Sequence, residues 1–428
     1  MRNTVIVALT SLALTMSAGC DKGAPAAEPD APAAPVVAPA PAAEVKAIGW
    51  RGDGSGVYAG ADPISAWDSD EKKGVLWKVK IGAGFSSPLA AADRVFVAIE
   101  QEKLVCVDAT THKVRWEKNN AFEDLPKELG AKENRYPTNC GFATATPVTD
   151  GKHVWASFGT GIVACYDLDG NRQWIVWLDN PQQTQYGRVA SPVLVDGKLI
   201  VTAGFLVALD PATGKTLWKC EDAVESHGTP AVAKIGDASV LITAMGDVVR
   251  VSNGEAVVKG LASCTYNSPV VSNGVVYFVD ARAVAFKLPE KLGEKAGFKK
   301  LWQTDFEGEI FASPVVEGGI LYSASNDGFL YAVDAGKGEE VYNQQLDIAS
   351  AMGAGGMPPG NLYPSLAIAG GKLFVSNDKG QTLVVEPGKT FKQIAKNYLE
   401  DGSGACPAFS GKLLYLRGGE DLYCVGAK

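Results

Sequence analysis

Six residues of this 428-residue chain combine a side chain able to contact a ligand with a shared kind of position: Tyr136, Arg188, His227, Tyr266, Asn267 and Tyr363. Each lies in a polar, turn-forming stretch that leads into a Pro-hydrophobic strand start. Together they offer a guanidinium, an imidazole, an amide and three phenols. Such a set could clamp a planar anionic ligand through Arg188, or it could simply hydrate the mouth of an opening. Tyr186, Glu309, Phe311 and Asn361 occupy comparable places. Covalent and phosphate chemistry have no sequence support: there is no Gly-x-Ser-x-Gly, no Gly-x-Gly-x-x-Gly opening a helix and no phosphate loop. The histidines are His112, His153 and His227, and no Cys-x-x-Cys or Cys/His ligand spacing occurs, so no metal site is expected.

The elements that must position these residues repeat. Strand starts follow Pro88, Pro147, Pro192, Pro230, Pro269, Pro314, Pro364 and Pro407, at steps of roughly 40 to 60 residues that bracket the length of a propeller blade. One unit reads Ser313-Pro314-Val315-Val316, then Ile320-Leu321-Tyr322-Ser323, Leu330-Tyr331-Ala332-Val333-Asp334 and Val341-Tyr342, which are four strands. The third strand ends in Asp108, Asp167, Asp210 or Asp334, whose carboxylate can accept backbone N–H groups of the following turn. Trp116, Trp218 and Tyr342 stand eight residues beyond their Asp and Trp174 seven, placed to fill the wedge between blades.

The eighth unit supplies Lys412–Tyr415 and Leu422–Val425 and then the chain ends, while an orphan outer strand, Val75–Ile81, precedes the first unit. The sequence therefore predicts an all-β, eight-bladed propeller of four-stranded antiparallel blades, with the last blade closed by the N-terminal strand. Closure hides the blade edges, so a monomeric ring is expected. Two units are worn: Ser252 and Val258 replace the Asp and the aromatic in the fourth, and an insertion from Pro289 to Lys300 interrupts the fifth. A further insertion spans Asn119 to Asn139.

Four segments follow. Residues 1–19 form a secretory signal, with Arg2 ahead of the apolar run Val5 to Met16 and small residues before Cys20. That ending resembles a bacterial lipoprotein signal and implies cleavage before Cys20 and its lipidation. Residues 20–46, rich in Ala and Pro, form an extended tether, 47–74 a lead-in, and 75–428 the propeller. In the lead-in, Arg51-Gly52-Asp53 beside Gly54-Ser55-Gly56 reads as a turn. The expected location is a membrane-anchored lipoprotein exposed to the periplasm. A net charge of −8, with no basic stripe, argues against a nucleic-acid partner. Cys106, Cys165 and Cys424 occupy a repeated third-strand position and are expected to be small core residues. Cys140, Cys220, Cys264 and Cys406 fall in or beside connections, where a bridge such as Cys220 with Cys264 is open.

The Ser-Pro-Val-Val start, Leu330–Ala335 (Leu-Tyr-Ala-Val-Asp-Ala) and Leu206–Trp218 (Leu-Val-Ala-Leu-Asp-Pro-Ala-Thr-Gly-Lys-Thr-Leu-Trp) resemble the pyrroloquinoline quinone (PQQ)-type propeller repeat across residues 75–428. The resemblance to the quinoprotein dehydrogenase branch would imply PQQ with calcium, yet the adjacent cysteines of that branch are absent and no residue matches its catalytic Asp. Anchor, length and closure are more similar to the BamB-like lipoprotein branch, which implies no cofactor, no catalysis, and a scaffold role with an envelope or membrane protein complex as partner. A small-molecule sensor using the channel mouth is the remaining alternative.

Overall fold

The computed structural model describes residues 48–131, 138–179, 186–224, 227–293, 297–348 and 360–427. Met1–Glu44 is a unit separate from Val45–Lys428. The signal, Cys20, the tether and Tyr136 therefore lie outside the described residues.

Eight antiparallel sheets of four strands each follow one another in chain order, and one of them gains a fifth strand. Blade 1 comprises Leu89–Ala91, Arg94–Ile99, Lys103–Asp108 and Lys113–Asn119. Its second and third strands are almost continuously buried, whereas its fourth alternates between exposed and half-buried. That contrast explains the apolar runs in the sequence: middle strands are covered on both faces by neighbouring blades, and outer strands meet solvent. The ring closes as expected. Val75–Lys80 pairs antiparallel with Asp421–Val425, Trp77 opposite Cys424, and completes blade 8.

Turn chemistry repeats with the blades. Asp108 Oδ1 accepts the N–H groups of Thr110 and Thr111 at 2.9 and 2.7 Å, and Asp210 Oδ1 accepts those of Ala212 and Thr213 at 2.8 and 3.0 Å. Asp334 does the same with Gly336 and Lys337. Each turn then receives the outer-strand tryptophan of the preceding blade. The indole N–H of Trp218 donates to Val251 O at 2.9 Å, and that of Trp302 to Ala335 O at 2.8 Å. Gly254 lies under Trp218: a Cβ there would stand 2.6 Å from the indole, and its φ is +77°, a conformation that itself favours glycine. In blade 1 the same turn position holds His112 at φ 59°, whose imidazole stacks on Trp77 at 5.5 Å instead.

The worn wedge between blades 4 and 5 is repaired by the fifth-unit insertion. Val258 is too small to span it, and Phe298, supplied from the insertion, packs with Val258, Val240, Ile242 and Phe278. The first-unit insertion forms two short 3-10 turns, Phe122–Asp124 and Lys127–Leu129, and sets Phe122 against Trp177 at 6.4 Å.

In blade 4 the place of the turn Asp is held by Arg250 and not Ser252, since Arg250 N–H donates to Glu255 O and its carbonyl accepts from Gly254, as Asp210 does with Lys215 and Gly214. Two further sequence expectations need correction. Cys220 lies within the outer strand Thr216–Val224 of blade 3, not in a connection, and the seven described cysteines are all free. Cys220 packs in the wedge between blades 3 and 4 while Cys264 packs in the next wedge, so separate cores hold the two thiols apart. Burial pushes the Cys106, Cys165, Cys264 and Cys424 thiols up to about 12, which suits inert core residues. Second, Pro364 does not begin its strand as the other prolines do: the first strand of blade 7 is Ala367–Ala369, and Leu366 takes the place that proline holds elsewhere.

Candidate interaction surface at the channel mouth

Innermost strands run down the channel wall from the upper face, where each blade hands the chain to the next. The residue just before each start is Ser87, Thr146, Ser191, Thr229, Ser268, Ser313, Ser365 or Cys406, and all eight are buried. The reason is a belt that ties blade to blade. Thr146 N–H donates to Ser191 Oγ at 3.0 Å, Ser191 N–H to Thr229 Oγ1 at 2.9 Å, Ser268 N–H to Ser313 Oγ at 3.0 Å and Ser313 N–H to Ser365 Oγ at 2.9 Å. The belt then crosses the closure: Ser365 N–H donates to Cys406 Sγ at 3.2 Å, Cys406 N–H to Ser87 Oγ at 2.9 Å and Ser87 N–H to Thr146 Oγ1 at 3.3 Å. Six of the seven hydroxyls, and the Cys406 sulfur, each accept an inner-edge N–H that has no strand partner, which commits them to the fold.

Two residues further up, the same register gives Phe85, His227, Tyr266, Phe311 and Tyr363. Their rings converge. Tyr266 stacks on Phe311 at 4.6 Å and 28°, and His227 stacks on Tyr266 at 5.8 Å and 21°. Tyr186 meets both His227 and Tyr266 edge-on, at 5.5 and 5.8 Å, and Phe311 meets Tyr363 edge-on at 5.2 Å. Gly404 keeps the eighth position open between Phe85 and Tyr363, since a Cβ there would touch both at 3.6 and 3.7 Å. Phe85 and Tyr363 are 40% and 42% exposed, and the other rings are half-buried. Burial lowers the His227 pKa, so its imidazole is neutral at pH 7.

Carboxylates brace the connections that carry these rings. Asp280 Oδ2 accepts from Thr265 N–H at 2.9 Å and from its hydroxyl at 2.6 Å, next to Tyr266. Asp378 accepts from Asn361 N–H at 2.8 Å and from its amide at 3.0 Å, two residues from Tyr363. Glu100 Oε1 accepts the N–H groups of Phe142 and Ala143 at 2.9 and 2.8 Å. Burial raises the Tyr363 phenol pKa, and the nearby Asp378, Tyr186, Cys140 and Glu309 push it further in the same direction.

Below the belt the channel is entered by the lead-in. Ile48 bridges Thr149 on the inner strand of blade 2, and Val57–Tyr58 adds in parallel to Ala367–Ala369 of blade 7, making the fifth strand. The Arg51-Gly52-Asp53 turn lies between them, closed by Gly52 N–H to Gly49 O at 3.1 Å. Arg51 is 2% exposed, and its Nη2 donates to Pro314 O and Leu366 O, both at 2.7 Å, joining blades 6 and 7 one residue below belt members Ser313 and Ser365. Around the turn remain a cavity of about 400 Å³ lined by Trp50, Val193, Val195, Val232 and Val271, and another of about 370 Å³ towards blades 1 and 8.

Of the residues singled out from sequence, Tyr266, His227 and Tyr363 meet in the ring cluster, whereas Asn267 does not reach it. Asn267 is 1% exposed, and its Nδ2 donates to Val279 O and Ile310 O at 2.8 and 3.0 Å, which stitches blade 5 to blade 6. Arg188 lines a small void between blades 2 and 3 with Leu178, Ala190 and Val201. The belt and Phe85 are additions, and their signal was present in the sequence as Ser or Thr before seven of the starts and an aromatic two residues earlier.

A family model described as "Outer membrane protein assembly factor BamB" matches residues 64–296 and 294–393. The chain belongs to this family. Curated relatives include that assembly factor from Legionella pneumophila (strain Paris), 24% identical over 45% of this chain and 49% of its own, and from Yersinia pestis, 23% identical over 63% and 61%. A serine/threonine-protein kinase, AfsK of Streptomyces griseus, is 28% identical over 51% of this chain and 28% of its own. The chain thus spans less than two thirds of the length of each of these relatives. Among solved structures, BamB from Moraxella catarrhalis superposes with a TM-score of 0.59 at 13% identity over 83% of this chain and 97% of that one. The computationally designed Ika8 protein superposes with a TM-score of 0.55 at 13% identity, over 81% and 99%. These likenesses establish the propeller fold.

Proposed function

We propose that this chain is a lipid-anchored, non-catalytic propeller that serves as a protein-docking scaffold in the bacterial envelope. One observation carries the reading: the upper mouth gathers a contiguous, part-exposed set of rings, while the channel beneath is crossed by the chain's own lead-in. Clustered exposed rings are costly to leave in water and mark docking surfaces. Membership of the outer-membrane assembly family supports an envelope complex as the partner. A calcium-held quinone does not suit the residues below the rings. Buried there are two cations, Arg51 on Pro314 O and Leu366 O and Arg417 on Gly82 O, Ser86 O and Ala98 O, and six belt hydroxyls already accept N–H groups, so no redox step is assigned.

The test is a native detergent extract carrying the full precursor, with partners identified by mass spectrometry. A membrane complex should co-purify, and Cys20→Ala should release the ring from the membrane fraction. Recovery of the native chain as a lone monomer from every detergent would overturn the reading.

A further inference from the structure

The chemistry of the mouth specifies what docks there. Aromatic faces carry negative electrostatic potential, and a cation held over several of them gains from each. Here the Tyr266, Phe311 and His227 rings stack into a platform, and Tyr186 and Tyr363 turn edge-on at its flanks. The neutral imidazole keeps the platform free of positive charge at pH 7. Carboxylates surround it: Glu309 is two residues from Phe311, Asp378 braces the Tyr363 connection, Asp280 braces that of Tyr266, and Asp327 stands beside Gly308. On the cationic side, Lys379 lies 3.8 Å from Asp378, and Arg188 stands two residues from Tyr186. The surface therefore pairs π faces with an excess of negative charge, an arrangement complementary to a positively charged group and unfavourable for an anionic one.

We infer that the ring platform is a recognition site for arginine or lysine side chains of an extended segment of the docked protein. This rests on the docking reading above and adds the chemistry of the partner. A guanidinium suits it best, because it is planar, weakly hydrated and able to lie against the exposed parts of the ring cluster in the negative potential of Glu309. No covalent step is involved.

Calorimetric titration of the full mature chain with a hexapeptide containing two arginines, against the same peptide with citrulline in their place, tests the inference. The arginine peptide should bind at least tenfold more tightly. Leucine retains bulk without a π face, so the double variant Tyr266→Leu/Phe311→Leu should weaken binding about four- to twenty-five-fold, at about two- to fivefold per ring. Tyr266→Phe, which keeps the ring, should stay within about twofold of native and controls for folding. Equal binding of the citrulline peptide, or unchanged binding by the leucine variant, would overturn the inference. Absence of peptide binding at millimolar concentration overturns it too, and if the membrane complex still co-purifies the docking reading stands without it.

Discussion

Two positions on the same inner connections, only two residues apart, have opposite fates. The residue before each strand start is buried, and at seven of the eight positions its oxygen or sulfur accepts an N–H from the neighbouring blade. The residue two places earlier is left at the mouth, and in five connections it is a ring. The comparison separates closure from recognition. A propeller must satisfy the inner edge of every blade, and a hydroxyl belt does so with the smallest side chains able to bond, leaving the next position outward free to vary. The lead-in deepens the contrast by adding the same kind of structural commitment from below, through Arg51.

The largest expected effect comes from the committed side. Arg51→Ala removes two buried, charge-assisted hydrogen bonds and leaves Pro314 O and Leu366 O unpaired, so denaturant unfolding should show a loss of about 2–4 kcal/mol. Arg51→Lys cannot reach both carbonyls at once and should recover less than half of it. Next, Ser313→Ala removes the acceptor for the buried Ser268 N–H and should cost about 1–3 kcal/mol. By contrast, Tyr266→Leu/Phe311→Leu loses a half-exposed stacked pair and should cost only about 1 kcal/mol, while strongly reducing partner capture. Equal destabilisation by the belt and ring variants would break the comparison.

Two smaller effects sharpen it. Cys406→Ser places a stronger acceptor at the one belt position that holds a thiol, and should leave stability unchanged or raise it by about 0.5 kcal/mol. His227 supplies a pH signature. Its pKa is lowered in the fold by burial, so charging the imidazole costs stability, and that stability is present above the ordinary imidazole value and lost as pH falls below it. Affinity for an arginine peptide should fall over the same interval, because the charged imidazole repels a bound cation. His227→Asn should flatten that pH dependence.

Much of this architecture was legible because it rests on local rules. An Asp that caps its own turn acts within three residues, and Val75–Lys80 declares itself an outer strand by pattern alone. The partners of Arg51 lie 263 and 315 residues away, which no local pattern reveals, and the turn residues around it read as a surface loop. The ring cluster was half legible: Tyr266 and Tyr363 stand out as aromatics in polar connections, while Asn267 next to Tyr266 looks equally available yet points inward to carbonyls of blades 5 and 6. Pro364 misled by letter. Belt register, with Ser365 accepting from Ser313, shows that Leu366 and not Pro364 holds the repeated position.

The central claim is that the ring mouth, and not the belt or the lead-in, carries recognition. The most direct measurement is quantitative recovery of the membrane complex from native detergent extracts on the wild-type chain and on Tyr266→Leu/Phe311→Leu/Tyr363→Leu, with thermal unfolding recorded for both. The account predicts loss of at least nine tenths of the captured complex with a melting temperature shifted by only a few degrees. Undiminished capture by the correctly folded triple variant would contradict it.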